Sequence, residues 1–96
     1  MSNTNNTNNT REIEKVLKVL ANKRRLAIIL YLKQKKEAKV GQIADEIKIS
    51  FKATSKHLAQ LFNADILERE QKSLQMWYRL APKQNYIVKY ISNSLE

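Results

Sequence analysis

Apolar residues recur at helical spacing through the first third of the chain. The stripe of a first helix, over residues 11–20, consists of Ile13, Val16, Leu17 and Leu20, and Thr10 before them is a candidate N-cap. Asn22 is a candidate cap for a second helix over residues 23–36. This second segment is apolar around much of its circumference, which is typical of a helix packed from several directions. The pattern therefore predicts that the second helix is central to the fold.

Two shorter amphipathic segments follow. Residues 40–49 predict a short helix, and the stretch SFKATSKHLAQL, residues 50–61, predicts another that is capped by Ser50. The apolar stripe of the later helix consists of Thr54, Leu58 and Leu61, with Phe51 and Phe62 on its flanks. Because each residue advances by about 100°, Lys52 and Lys56 fall on the opposite face, Ser55 lies at its edge, and His57 lies between the two faces.

The hydrophobic period changes after residue 65. Residues 66–70 and 74–80 are strand-like, the second by strict alternation, and residues 71–73 are a turn candidate between them. A last helix over residues 85–96 carries an apolar stripe of Tyr86, Ile87, Tyr90 and Ile91, with Leu95 near its end. Together the patterns predict a mainly α fold with one small β-hairpin.

The first ten residues contain only Asn, Thr and Ser after the initial Met. Such a composition offers no core-forming side chain to offset the entropy of ordering, so residues 1–10 are expected to be a disordered tail. Residues 11–96 then form one domain, which is the ordinary size for a single hydrophobic core.

Charge narrows the possible partners. Lys and Arg number 18 against 9 Asp and Glu, a formal net charge of +9 in 96 residues, which attracts nucleic acid first and anionic membranes second, although solubility alone is the simpler alternative. The absence of cysteine excludes disulfides and zinc-thiolate sites. We expect no cofactor, and no apolar run is long enough to span a membrane. The N-terminus resembles no secretory signal, so a cytoplasmic location is expected.

The order short helix, turn, amphipathic helix and hairpin is that of a winged helix-turn-helix. In this arrangement the second helix of the pair lies in the major groove of DNA, anchored by its apolar stripe, while short polar groups meet base edges and longer cations meet phosphates. Residues 50–61 satisfy these requirements. The hairpin would be the wing, with Arg69 and Lys72 near its tip placed to reach adjacent phosphates.

Several stretches resemble the ArsR-type winged helix-turn-helix transcriptional regulators. The most specific are LANKRR at the entry to the second helix, IADEIKIS, TSKHLAQL, and YRL at the end of the wing. The resemblance covers about residues 15–81. It implies that Phe51, Lys52, Ser55 and Lys56 contact base edges or nearby phosphates. It also implies a homodimer on a two-fold-symmetric operator, formed by the first and last helices through Ile13, Val16, Leu17, Tyr86, Ile87, Tyr90 and Ile91. On this basis we expect a repressor.

The sequence departs from the usual pattern of these regulators at Phe51, where a polar reader is common, at Thr54, where an apolar residue is common, and at Asp65, where glycine is common. The wing turn also lacks glycine. Phe51 either packs on the core or contacts a thymine methyl. Asp65 can adopt a left-handed turn at some cost.

Alternatives stay open for other candidates. His57 either packs as a hydrogen-bonded side chain or meets a phosphate. Three cations open the second helix at positions 23–25, where positive charge opposes the helix macrodipole. We therefore expect Arg24 or one of its neighbours to contact an anion, and we favour a phosphate over a carboxylate. The run KQKKEAK, residues 33–39, is expected to be a solvated helix end.

Metal sensing and catalysis are disfavoured. With no cysteine and one histidine, the sequence offers no converging set of N or S donors for a transition metal, and no nucleophile stands near a candidate base. The expected partners are double-stranded DNA and a second copy of the chain. A non-specific architectural nucleic-acid binder is the alternative, and any small-molecule effector is unknown.

Overall fold

The computed structural model describes residues 3–96, with side chains from residue 9 onward. The elements in chain order are α1 (Asn3–Leu20), α2 (Lys23–Lys35), β1 (Ala38–Lys39), α3 (Val40–Ile47), α4 (Phe51–Asn63), β2 (Leu67–Lys72), β3 (Gln75–Leu80) and α5 (Tyr86–Ser94). The strands form one antiparallel sheet in the order β1-β3-β2. The predicted fold class, a winged helix-turn-helix that is mainly α, is confirmed.

Helix α2 lies at the centre, as its apolar circumference predicted. It packs against α1, α3, α4, α5 and β3, and its side chains Ile28, Ile29 and Leu32 are at most 1% exposed. The neighbouring elements complete one hydrophobic core with Val16, Ile43, Leu58, Leu61, Ile66, Tyr78 and Val88. Because α3 and α4 both rest on this core, the position of the outward face of α4 is fixed by the same contacts that hold α2.

Side-chain caps define where three helices begin. Asn22 Oδ1 accepts hydrogen bonds from the backbone N–H groups of Arg24 and Arg25 at 2.9 and 3.1 Å, Ser50 Oγ accepts from Ala53 N at 3.0 Å, and Asn85 Oδ1 accepts from Ile87 N at 2.8 Å. Each bond satisfies an N–H group that has no partner within its helix. The caps predicted at Asn22 and Ser50 are therefore confirmed.

Helix α1 begins earlier than predicted. It runs from Asn3, so the N-cap predicted at Thr10 is wrong. Extending a helix already held by tertiary contacts is far easier than nucleating one, and α1 is held by the buried Val16 and Leu20. Residues 1 and 2 of the predicted tail lie outside the described residues, and disorder of segment 1–10 in solution stays a prediction.

The run KQKKEAK is not simply a solvated helix end. Helix α2 ends at Lys35, and Lys36 takes a left-handed φ of 78°. The chain then forms β1, in which Ala38 pairs with Tyr78 and Lys39 with Trp77 of β3. The interpretation was wrong because Ala38 is 1% exposed, a burial that depends on a strand pairing 40 residues away rather than on local charge.

The wing turn is shorter than the predicted segment 71–73 and ends one residue later. Strands β2 and β3 pair from Leu67 with Leu80 to Lys72 with Gln75, which leaves Ser73 and Leu74 as the two turn residues. Ser73 has a φ of 56° and Asp65, just after α4, a φ of 62°, so both turns adopt left-handed conformations without glycine. Leu74, predicted to begin the second strand, is instead 95% exposed at the tip of the wing.

Among the described residues, no helix combines the length and the apolar character needed to cross a bilayer.

Candidate nucleic-acid interface

The outer face of α4 is a free cationic surface. Lys52 and Lys56 are exposed, and neither ammonium group has a hydrogen-bond or ion-pair partner in the part of the chain that the structure describes. Directly beneath, Thr54, Leu58 and Leu61 are completely buried. The helix therefore presents two unpaired cations on a surface that the core holds in place.

Thr54 shows how this helix tolerates a hydroxyl on its apolar stripe. Its Oγ1 donates to the carbonyl oxygen of Ser50 at 2.8 Å, so the buried hydroxyl is satisfied within its own first turn. Ser50 thus accepts three hydrogen bonds at the start of α4, one through its side chain and two through its carbonyl oxygen. Together they fix the first turn, where the candidate readers Phe51 and Lys52 lie, and Ser55 follows at the start of the second turn.

Phe51 and Ser55 differ in their exposure. The ring of Phe51 is 63% exposed, which excludes the alternative that it packs in the core. Ser55 is half-buried at the edge of the cationic face. The contact of Phe51 and Ser55 with bases stays a prediction.

His57 is packed as a hydrogen-bonded side chain, the first of the two alternatives considered for it. Its Nδ1 lies 3.1 Å from Nη1 of Arg25, a guanidinium that is only 9% exposed. Because arginine can only donate, this nitrogen of the imidazole must be the acceptor. Burial first, and then the positive charges of Arg25 and Arg24, lower the pKa of His57. The structure therefore directs His57 towards α2 as a neutral acceptor, and not outward with Lys52 and Lys56.

Arg24 is exposed at the N-terminus of α2. Together with Lys23, Glu46 and Ile47 it lines an open cavity of ≈ 400 Å³ between α2 and α3. Within the described residues its guanidinium forms no ion pair, so the carboxylate alternative is not realised in the protomer. A phosphate contact by Arg24 stays a prediction.

The wing carries cations that are already engaged. Lys72 Nζ lies 2.9 Å from a carboxylate oxygen of Glu37 and 5.2 Å from the ring centre of Trp77. Arg69 stacks its guanidinium 3.9 Å from the ring centre of Phe62 at the end of α4. Phosphate contacts by Arg69 and Lys72 stay predictions, and Lys72 would have to exchange its carboxylate for a phosphate.

An ion cluster covers the outer face of the wing. Arg79 lies 2.6 Å from Glu68, 3.1 Å from Glu70 and 3.7 Å from Glu37. Hydrogen bonds to Glu68 and then Glu70 raise the pKa of Arg79. The cluster balances cations with carboxylates, so the wing is far less cationic than its Lys and Arg count indicates.

The predicted dimer seam is partly free and partly buried. Leu17, Tyr86 and Tyr90 are 49%, 74% and 72% exposed, and α1 contacts α5, which brings these side chains to one region. Ile13 is half-buried, as are Ile87 and Ile91, and the last two pack against the core. Val16 is 1% exposed, so its assignment to the seam is corrected: it belongs to the protomer core because it lies on the side of α1 that faces α2.

Two polar residues that connect helices were not predicted. Arg25 Nε donates to the carbonyl oxygen of Val19 at 2.6 Å, and Lys33 Nζ donates to the carbonyls of Ser92 and Leu95 at 2.8 and 3.2 Å. Arg25 could have been found from its spacing, since it precedes Ile28, Ile29 and Leu32 on the buried stripe. Nothing in the sequence indicated the contacts of Lys33, which span about 60 residues.

The described residues contain no group of three His, Cys, Asp or Glu side chains that could hold a metal ion.

Comparison with known families identifies a bacterial regulatory family. The model of a bacterial regulatory protein family, arsR, matches residues 22–69, which is half of the chain. The matched segment contains α2, α3 and α4. A comparison with curated proteins found no significant match.

Solved structures of similar fold cover nearly the whole chain. Reduced HlyU from Vibrio cholerae is 28% identical with a TM-score of 0.77, over 93% of this chain and 90% of that one. The homodimeric winged helix-turn-helix DNA-binding domain of a possible ArsR-family transcriptional regulator from Mycobacterium bovis is 25% identical with a TM-score of 0.81, over 93% and 80%. The transcriptional repressor BigR from Xylella fastidiosa is 25% identical with a TM-score of 0.74, over 99% and 93%.

Proposed function

This chain belongs to the arsR family of bacterial regulatory proteins, which are winged-helix DNA-binding transcriptional regulators and not enzymes, and from this premise we propose that it is a homodimeric repressor. It binds a two-fold-symmetric operator in the cytoplasm and responds to no cysteine-bound metal, since its sequence contains no cysteine. The observation that carries the proposal is the unpaired cationic face of α4 above a completely buried stripe.

In the proposed complex, each protomer inserts α4 into the major groove. Lys52 and Lys56 supply affinity through phosphates, and Ser55, Lys52 and Phe51 supply selectivity at base edges. Arg24 and Arg69 extend the phosphate contacts on either side. The two reading helices enter successive major grooves about 34 Å apart, and bound promoter DNA is closed to transcription.

The dimer in this proposal forms through α1 and α5. Leu17, Tyr86 and Tyr90 are exposed there, and a second copy would cover them. The homodimeric state of the similar domain from Mycobacterium bovis supports this assembly. Two-fold symmetry of the protein then requires two-fold symmetry of the operator.

The test begins with selection of operators from a pool of random duplexes, followed by binding titrations at several salt concentrations. If each half of the dimer engages about four or five phosphates, log K should fall against log salt with a slope of roughly −7 to −9. Lys52→Ala with Lys56→Ala removes four cations per dimer and should make the slope shallower by about 3 to 4 without loss of folding.

The matched control is Lys35→Ala with Lys83→Ala, which removes the same charge from exposed positions outside α4. This control should change the slope much less. A slope shallower than about −3 for the unmodified protein would argue against the proposed docking. Equal competition by unrelated DNA would instead support the non-specific architectural binder.

A further inference from the structure

Two exposed apolar side chains lie outside the terminal helices, at the start of α4 and at the wing tip. Of the five large apolar residues exposed among the described side chains, Leu17, Tyr86 and Tyr90 are on α1 and α5, whereas Phe51 begins α4 and Leu74 is at the wing tip. Phe51 is 63% and Leu74 is 95% exposed. A dimer seam on the terminal helices accounts for the first three and leaves these two unexplained.

Phe51 and Leu74 line the same groove. The cavity of ≈ 600 Å³ between the start of α4, the start of α3 and the wing tip is also lined by Val40 and Met76. Its charged lining residues, Lys39 and Asp45, have opposite signs, and the Lys39 ammonium lies 5.4 Å from the ring centre of Trp77. These two charges therefore cancel, and the large exposed side chains of the groove, Phe51 and Leu74, are apolar.

Local structure requires neither side chain. Of the two turn residues only Ser73 has a positive φ, so the backbone at Leu74 calls for no particular side chain, and an aromatic residue adds nothing to the first turn of a helix. Neither residue contributes to the core, since both are mostly exposed. Contact with a single binding partner would explain why both apolar side chains are exposed.

We propose that Phe51 and Leu74 form an apolar clamp that selects A·T base pairs, an inference that rests on the DNA-binding function proposed above. Phe51 lies beside Lys52 on the reading helix, and the thymine methyl is the apolar group that base edges present in the major groove. Leu74 enters the adjacent minor groove, where apolar side chains insert between bases and where guanine, unlike adenine, presents an amino group that leucine cannot satisfy.

The experiment uses the full chain and operators recovered by selection. Thymine is replaced by uracil at each position of a half-site, which removes only the methyl group. We expect at least one position at which the replacement weakens binding about fourfold, the value for one buried methyl. Phe51→Ala should bring the ratio between the thymine and uracil duplexes at that position close to 1. Lys56→Ala is the control, because Lys56 is exposed on the same helix and is assigned to phosphates only, so its loss should weaken binding to both duplexes and leave their ratio unchanged.

A second arm tests Leu74. Replacement of adenine by 2,6-diaminopurine adds an amino group to the minor groove and keeps the thymine methyl. It should weaken binding by the unmodified protein severalfold at one position, and Leu74→Ser should abolish that sensitivity. Both residues are exposed, so the variants should fold.

The outcomes separate the two proposals. If no operator is recovered, or binding is independent of sequence, the proposed function itself fails. If operators are recovered but uracil replacement has no effect, if its effect persists in Phe51→Ala, or if no thymine occurs in the half-site, the clamp is overturned. A loss of self-association, in place of DNA selectivity, in either variant would assign the groove to a second copy and would also overturn it.

Discussion

Arg25 is the residue on which three helices converge. Its guanidinium is buried, with Nε donating to the end of α1 at Val19 and Nη1 to His57 on α4. A buried charge without a carboxylate partner is stable only if neutral acceptors satisfy it. The contact with α4 therefore depends on an uncharged imidazole.

This dependence predicts that acid destabilises the protein through His57. Its pKa is lowered from 6.5 in the folded state, chiefly by burial and then by Arg25 and Arg24. The unfolded chain binds the proton more tightly, so the contribution of His57 to stability is full above pH 6.5 and is lost as pH falls through the folded pKa. Denaturant titrations across this range should show the decline in the free energy of unfolding.

The variant His57→Gln keeps an acceptor for Arg25 but cannot be protonated. Its free energy of unfolding should depend less on pH than that of the unmodified protein over the same range. An identical pH dependence in the two proteins would show that other groups are responsible and that the imidazole does not titrate against Arg25.

At the residue scale, local roles such as helix caps could be predicted from the sequence, whereas long-range hydrogen-bond partners could not. Ser50 and Asn22 were recognised because capping is local. The choice between phosphate and carboxylate for the cations at positions 23–25 was incomplete, since Arg25 contacts neither group and donates to a carbonyl and an imidazole of other helices. Such partners are set by packing across the core, which the spacing of one helix does not contain.

At the scale of elements, the wing is restrained by a carboxylate outside it, that of Glu37 between α2 and β1. Glu37 holds Lys72 at 2.9 Å and lies 3.7 Å from Arg79. We predict that Glu37→Gln strengthens operator binding and makes the salt slope steeper by about 1 to 2 per dimer, because it frees one phosphate-reaching lysine in each protomer. The salt titration described for the operator would measure this change.

Glu14→Gln provides the matched control. Glu14 pairs with Lys18 on α1 at 3.6 Å, so the substitution adds the same charge away from the wing. If both variants strengthen binding equally, overall charge explains the gain and the restraint of Lys72 has no role.

The hairpin also shows where sequence periodicity succeeds. The alternation over residues 74–80 predicted β3 because one face of that strand meets the core. Strand β1 was missed because it has two residues, too few to show a period, and exists only through its pairing with Tyr78 and Trp77. The end of the turn was misplaced because Leu74 is an unusual turn residue and continues the alternation of the strand.

At the scale of the whole molecule, the exposed apolar side chains lie in two separate places. The patch on the terminal helices comprises Leu17, Tyr86 and Tyr90. We predict that Tyr86→Ser with Tyr90→Ser raises the dissociation constant of the dimer by about 100-fold or more, because buried tyrosines commonly dominate interface energies. Sedimentation equilibrium would measure the constant.

Phe51→Ser with Leu74→Ser is the control for this prediction, because it also removes two exposed apolar side chains. The control should leave the dimer intact. Dissociation of the control, with the tyrosine variant still dimeric, would place the seam at the wing and contradict the assembly proposed through α1 and α5.

Periodicity identified the apolar stripe of the last helix but could not show which of its residues face the core and which are exposed. Val88, outside the predicted stripe, is 2% exposed, while Tyr86 and Tyr90 within it are among the most exposed apolar residues. A stripe that faces a core and a stripe that faces another copy have the same spacing. Only the position of α5 against α1 and α2 separates the two.

The hydrogen bonds from Lys33 to the end of α5 have a mechanical consequence. They anchor α5 to α2, and α2 in turn supports α4. In a dimer joined through α5, each helix α4 would be held rigidly relative to the two-fold axis. If the half-sites were wrongly spaced, the DNA and not the protein would have to twist for both to bind. Insertion of base pairs at the centre of an operator should therefore weaken binding by the elastic energy of twisting the DNA.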